Sequence, residues 1–231
     1  MQLLYSIARV LFLTLTLLTL KALAGDVSGH AFVTRRLTKK VLSPIVYNLR
    51  GTATPAAPPA RPESAAVNEY DRMVVILEGG KLPPRPPISV VLNQQAARFD
   101  PELVVVPTGS TVQFPNLDPI FHNVFSLSKA RKFDLGYYPQ TQSRSVTFSD
   151  AGVVQVYCHI HANMYAAIVV TDSPWYAKPG AGGSFSFSNV PPGRYRLSVW
   201  HKIAGYRKQD VVVPETGGVE VNISVPVDME P

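Results

Sequence analysis

The sequence predicts an all-β protein made of two small sandwiches, and three observations carry that prediction. Short runs rich in Val, Ile, Tyr and Phe recur along the chain, several of them alternating apolar with polar residues. Turn formers are abundant, with 21 prolines and 15 glycines available to punctuate those runs. Beyond residue 24 no stretch sustains the 3.6-residue apolar period of a long helix. About 207 residues follow that point, more than one small β domain uses, so a second module is expected.

The first 24 residues stand apart. Arg9 precedes the apolar stretch Val10 to Leu20, and Ala22-Leu23-Ala24 closes it with a small-x-small pattern, the three parts of a secretory signal peptide. Its apolar core is too short to span a bilayer, and no second long apolar run follows, so no membrane span is expected after cleavage. The expected location is periplasmic or extracellular. Cleavage removes Arg9 and Lys21 and no acid, which takes the formal charge from +6 to +4. A mildly basic protein of this kind suits an acidic partner surface and falls short of a nucleic-acid-binding charge pattern.

Residues 25–82 contribute two strands. Val27-Ser28-Gly29-His30-Ala31-Phe32-Val33 is the first and Met73-Val74-Val75-Ile76-Leu77-Glu78 the second. Between them Thr52 to Pro62 is rich in Pro and Ala and reads as a surface loop; Leu82 to Pro87 is nearly all breakers and reads as a stiff hinge. Residues 86–172 then carry six predicted strands: Ile88 to Leu92, Glu102 to Val106, Thr111 to Phe114, Ser143 to Phe148, Val153 to Tyr157 and Tyr165 to Val170. Phe133 to Tyr138 falls in the variable segment between His122 and the later strands, and its tyrosines read as packing residues rather than electron relays. From residue 177 to 228 the chain alternates through Phe185, Phe187 and Val190, turns at Pro191-Pro192-Gly193, and alternates again through Tyr195, Leu197 and Val199, which is a hairpin signal. Asp210 to Val213 and Val219 to Val225 complete the strands.

Chemistry concentrates between the last two strands of the middle segment. Cys158, the only cysteine, opens Cys158-His159-Ile160-His161-Ala162-Asn163-Met164, so a thiol, imidazoles and a thioether share one tight loop. An exported protein with one cysteine makes no internal disulfide, and metal ligation is a reason to keep an otherwise vulnerable thiol. His122, in Phe121-His122-Asn123-Val124, is the candidate donor from elsewhere. Two imidazoles and a thiolate in a plane with a long thioether contact is the donor set of blue copper. Zinc has little use for a thioether, and a dinuclear centre with two bridging thiolates needs a second cysteine. A cysteine nucleophile could be drawn from Cys158, His122 and Asn123, but no cysteine-enzyme signature surrounds them.

The His-Asn-Val element followed by a Cys-x-x-His-x-x-Met loop resembles the cupredoxin family, with a loop spacing closest to that of amicyanin and shorter than that of plastocyanin. The resemblance covers residues 86–172 and implies a Greek-key sandwich binding one type 1 copper ion through His122, Cys158, His161 and Met164. It also implies that Asn123 ties its strand to the cysteine loop. Two positions depart from the family pattern: Ala162 stands where proline is common, and His159 where a small hydroxyl residue is common. Strand alternation points His159 away from Cys158, which favours a non-ligand role. The Gly-x-Phe, Asn-Val-Pro-Pro-Gly-x-Tyr and Gly205-Tyr206 elements resemble the later half of a carboxypeptidase regulatory-like, prealbumin-like sandwich. Its earlier half, Val-x-Gly and an apolar strand, fits Val27 to Val33 and Met73 to Glu78, so the copper domain is expected to be inserted into it.

The function these expectations describe is one-electron transfer between a redox donor and acceptor presenting acidic docking surfaces, without enzymatic turnover. A copper carrier or sensor that exchanges no electrons is the first alternative. A structural or interaction protein with a vestigial metal loop is the second. His30 and His201 lie in the outer module and read as surface or packing residues.

Overall fold

The computed structural model describes residues 24–34, 68–80 and 85–225. The signal-peptide reading, the Pro/Ala-rich loop and part of the predicted hinge lie outside the described residues. The regular secondary structure of the described residues is all strand apart from two short 3₁₀ turns, Glu69–Arg72 and Ala181–Gly183. Among the described residues no helix is long and apolar enough to cross a membrane.

Strands β1 (Gly25–Val33) and β2 (Met73–Glu78) come first. The middle stretch holds β3 (Ser89–Val91), β4 (Asn93–Gln95), β5 (Arg98–Asp100), β6 (Leu103–Pro107), β7 (Ser110–Pro115), β8 (His122–Ser128), β9 (Arg131–Tyr138), β10 (Ser143–Phe148), β11 (Gly152–Tyr157) and β12 (Tyr165–Thr171). The last elements are β13 (Tyr176–Ala177), β14 (Ser184–Val190), β15 (Gly193–His201), β16 (Gly205–Val213), β17 (Val219–Glu220) and β18 (Ile223–Val225).

In the middle stretch a five-stranded sheet, β6-β12-β11-β8-β9, and a three-stranded sheet, β10-β7-β3, enclose one core. Alternation decides which side chains enter it. Val154, Val156 and then Cys158 face inward from β11 and its end, and Val112 and Phe114 face them from β7. On β12, Ala166, Ile168 and Val170 point into this core, while Ala167 and Val169 point the other way and are buried too. A strand buried on both faces reads as a continuous apolar run, which is why Tyr165 to Val170 shows no alternation.

The remaining strands build the second core. β1 pairs antiparallel with β14 and parallel with β17 and β18. β2 sits between β13 and β15, with β16 at the edge. Val27, Ala31, Val75, Leu77, Phe185, Phe187, Leu197 and Val199 fill the space between the two sheets. Gly29 is required by close approach: a Cβ there would run into the carbonyl oxygen of Val221.

The two cores meet along β12. Ala167, Val169 and Leu103 of the middle sheet pack on Val74, Ile76 and Trp200. A polar clasp borders this apolar contact. The Lys202 Nζ, on a side chain only 8% exposed, reaches Glu102 Oε2 at 2.8 Å and the Tyr165 carbonyl at 3.0 Å, and lies 4.4 Å from the centre of the Tyr165 ring. Arg72 reaches the same Glu102 oxygen at 3.1 Å. Together they hold the Glu102 carboxyl below its usual range: burial works to raise it, and the hydrogen bond and charge of Lys202, with Arg72 behind them, outweigh that.

The middle stretch holds more strand than the six predicted runs, in β8, in β9 and in the β4-β5 hairpin. Phe133 to Tyr138 lies between His122 and the later strands as expected, and it forms most of β9, paired with β8. Its tyrosines split: Tyr138 is fully buried and donates to the Phe114 carbonyl, while Tyr137 is exposed. The β4-β5 hairpin has no counterpart among the predicted strands. Its two-residue turn is Ala96-Ala97 with φ of 53° and 52°, the left-handed pair that normally calls for Asn-Gly. Alanine in that region costs about 1–2 kcal/mol per residue, so something else must hold the turn.

Candidate metal centre

The donor loop begins where β11 stops. The Cys158 N–H donates to the Met164 carbonyl at 3.3 Å and the Met164 N–H to the His161 carbonyl at 2.9 Å. These two bonds close a compact loop directly above the Tyr157–Tyr165 pair of the ladder. Cys158 continues the inward face of β11 and is 5% exposed; Met164, at 1%, is buried in the same core cluster. His161 is partly exposed, and Ile160 and Ala162 on either side of it are exposed. His122 enters from the first residue of β8 and is fully buried.

The fold brings together three of the four predicted donors in one cluster: one ligand atom each from His122, Cys158 and His161 lie within 4.8 Å of one another. The Cys158 Sγ is 3.6 Å from His161 Nδ1 and 4.0 Å from His122 Nδ1, and the two Nδ1 atoms are 3.1 Å apart. The other nitrogen of His122 fixes its tautomer. Its Nε2–H donates to Asp118 Oδ2 at 2.8 Å, which leaves a lone pair on Nδ1 facing the other donors. Lone pairs and a polarisable sulfur converging in a buried space repel one another unless a proton or a cation lies among them. The set fits a soft or borderline metal ion, and with a thioether nearby its chemistry matches copper better than zinc.

Asp118 gave no signal that the sequence reading used, although Asp118-x-x-x-His122 was visible as a spacing. Its Oδ1 accepts the Ala96 N–H at 2.7 Å and its Oδ2 the Ala97 N–H at 2.8 Å, which supplies the missing support for the alanine turn. Burial works to raise the Asp118 carboxyl, and the hydrogen bonds from Ala97, His122 and Ala96 outweigh it, so the group is held below its usual range. Asn116 tightens the same segment. Its Oδ1 accepts the Asp118 N–H, and its Nδ2 donates to the carbonyls of Ile120 and Tyr138.

Asn123 departs from its expected role. Its Nδ2 donates to Asp134 Oδ1 on β9 at 2.6 Å, so it ties β8 to β9 and not directly to the cysteine loop. Asp134 completes the link from its other oxygen, 3.4 Å from His159 Nε2. The Gly136 N–H bond contributes most to holding Asp134 below the usual carboxylate range; burial opposes it, and the Asn123 and His159 bonds assist. His159 stands outside the donor cluster, stacked on Phe125 with ring centres 3.8 Å apart. His30 stacks on Phe32, and His201 is fully buried in the outer module.

The chain matches no protein-family model and no curated protein sequence. Among solved structures it is similar to a copper-containing nitrite reductase from Thermus scotoductus SA-01, with 23% identity and a TM-score of 0.35 over 37% of this chain and 23% of that one. It is also similar to a Cu(I) form of an amicyanin point mutant, with 22% identity and a TM-score of 0.34 over 36% of this chain and 82% of that one. A second amicyanin mutant, in its reduced state, matches over the same shares at 23% identity and a TM-score of 0.34.

Proposed function

We propose that this chain is an exported type 1 copper protein that carries single electrons between redox partners. The observation that carries the reading is the convergence of His122 Nδ1, His161 Nδ1 and the only thiol of the chain within 4.8 Å at a buried position. Copper bound there supplies a one-electron couple. His122, Cys158 and His161 are the strong ligands in this reading, and Met164, buried beside Cys158, is the weak fourth.

The surrounding residues serve that task in separable ways. Three ligands arrive on one closed loop and the fourth on a strand held by Asp118, so the donor positions change little between oxidation states. The core residues Val124, Val156 and Phe114 keep water from the thiolate side. Partly exposed His161 offers an edge to a partner, and Ile160, Ile120 and Phe121, neighbours in sequence of the two histidines, are exposed apolar residues suited to a transient contact. The positive charge of the chain favours partners with an acidic docking surface. We place the copper module as an insertion in a carboxypeptidase regulatory-like sandwich, which acts as its structural mount, and we assign no enzymatic turnover to either.

The test is a cupric titration of the chain from Gly25, followed by visible absorption and electron paramagnetic resonance. The expected result is an intense thiolate-to-copper band with narrow hyperfine splitting, absent in Cys158→Ser. Weak binding that persists in Cys158→Ser would overturn the reading.

A further inference from the structure

Resting on that copper reading, we propose that Asp118 is a positioning residue that sets the relative affinity of the centre for oxidised and reduced copper, by holding His122 through an anionic hydrogen bond. Three observations point to it. The bond is short, 2.8 Å, and the Asp118 side chain is only 11% exposed, so its charge acts in a medium that screens little. The carboxylate cannot swing away, because Ala96 and Ala97 each donate a backbone N–H to it and Asn116 holds its backbone. Finally, the Leu117 N–H donates to the Gln94 carbonyl, so the segment carrying Asp118 is pinned to the β4-β5 hairpin at a second point before the turn.

A carboxylate on the outer nitrogen makes the imidazole a stronger donor at its inner nitrogen. A stronger, more anionic donor favours the higher-charged ion over the lower-charged one. Asp118 therefore lowers the reduction potential of the centre relative to the same ring held by a neutral acceptor. The Ala96-Ala97 turn belongs to the same device. An Asn-Gly turn would hold its own shape, whereas an alanine pair with positive φ depends on the carboxylate that also grips the ligand.

The experiment compares wild type, Asp118→Asn, and Asp118→Asn combined with Ala96→Gly and Ala97→Gly, all as the full mature chain loaded with copper. Asparagine keeps an acceptor for His122 and removes the charge; the glycines relieve the turn. The expected outcome is a preference for reduced copper increased about tenfold in both variants, a rise of about 59 mV in potential. Thermal stability should fall in the first variant and recover in the second. An unchanged potential, or a shift that the glycine pair abolishes, overturns the assignment. Nitrogen-15 chemical shifts of metal-free wild type give an independent reading, in which His122 must be the Nε2–H tautomer; the Nδ1–H tautomer also overturns it. If wild type develops no thiolate-copper band, the functional reading fails and the Asp118 role falls with it; a blue wild type with an unshifted Asp118→Asn fails the Asp118 assignment alone.

Discussion

Two fully buried histidines mark two regions of the molecule, and they are wired in opposite ways. His122, at the donor cluster, commits one nitrogen to Asp118 and turns the other toward Cys158 and His161. His201, near the junction of the two cores, uses Nδ1 to accept the N–H groups of Ile203 and Ala204, and its Nε2 faces Glu69 at 3.4 Å. Both lie beside a carboxylate and both are shielded from water, yet only His122 keeps a lone pair for an outside guest. Burial does not distinguish a candidate ligand from a packing histidine; the partner of each ring nitrogen does.

This contrast predicts that the junction can be damaged without changing the donor cluster. Trp200 packs on Ala167 and Val169 from the opposite face to Cys158, and Trp200→Ala should cost about 3–5 kcal/mol in chemical denaturation. The absorption band of the copper-loaded protein should be the same in wild type and in this variant; a shifted band would mean the two regions are coupled.

The second test uses pH. Burial lowers the His201 pKa to about 4, and the Arg72 charge adds to this, with the Glu69 contact opposing. The unfolded chain binds this proton from about pH 6.5 downward while the folded chain resists it to about pH 4, so the stability that neutral His201 contributes is lost as pH falls through that window. The loss approaches about 3 kcal/mol at the acid end. Glu69, whose pKa burial raises, works in the reverse sense and offsets part of it. Melting temperature against pH should be flatter between these limits in His201→Gln than in wild type; parallel curves would show that other groups carry the acid sensitivity.

Smaller effects follow from single contacts. Lys202→Met removes the Nζ bonds to Glu102 and to the Tyr165 carbonyl and should cost about 2 kcal/mol, since Arg72 still faces Glu102. Ala97→Gly alone should stabilise by about 1 kcal/mol through relief of its positive φ, measurable as a raised denaturation midpoint. A neutral or destabilising result there would place the support of the turn wholly in Asp118.

How much of this was readable in the sequence depends on separation along the chain. The donor loop was legible because Cys158, His161 and Met164 fall within seven positions, and His122 because it stood in a recognisable His-Asn-Val element. The inward face of β11 was legible from alternation. Asp118 was not, because a carboxylate four residues before a histidine is a common spacing, and only the bend at Asp118 to Ile120 brings the two side chains together. The β4-β5 hairpin was hidden by its alanines, which carry no turn preference, and β9 by Gly136 and a charged start that blur its alternation. The clasp of Lys202 on Glu102 spans 100 positions and depends on how two sheets stack, which no local pattern encodes.

The pairing of β2 with β15 and of β1 with β18 also sets an order of events during synthesis. The core around Cys158 draws on one uninterrupted stretch, from Leu92 to Val170, and can close as soon as β12 has emerged. The other core must keep β1 and β2 waiting until the last strands arrive, with long loops to close before any contact repays them. The half that carries the donors is therefore the half that can mature first, and a nascent chain stalled short of Val225 would carry a finished donor cluster while the edge of β1 stays unpaired and sticky.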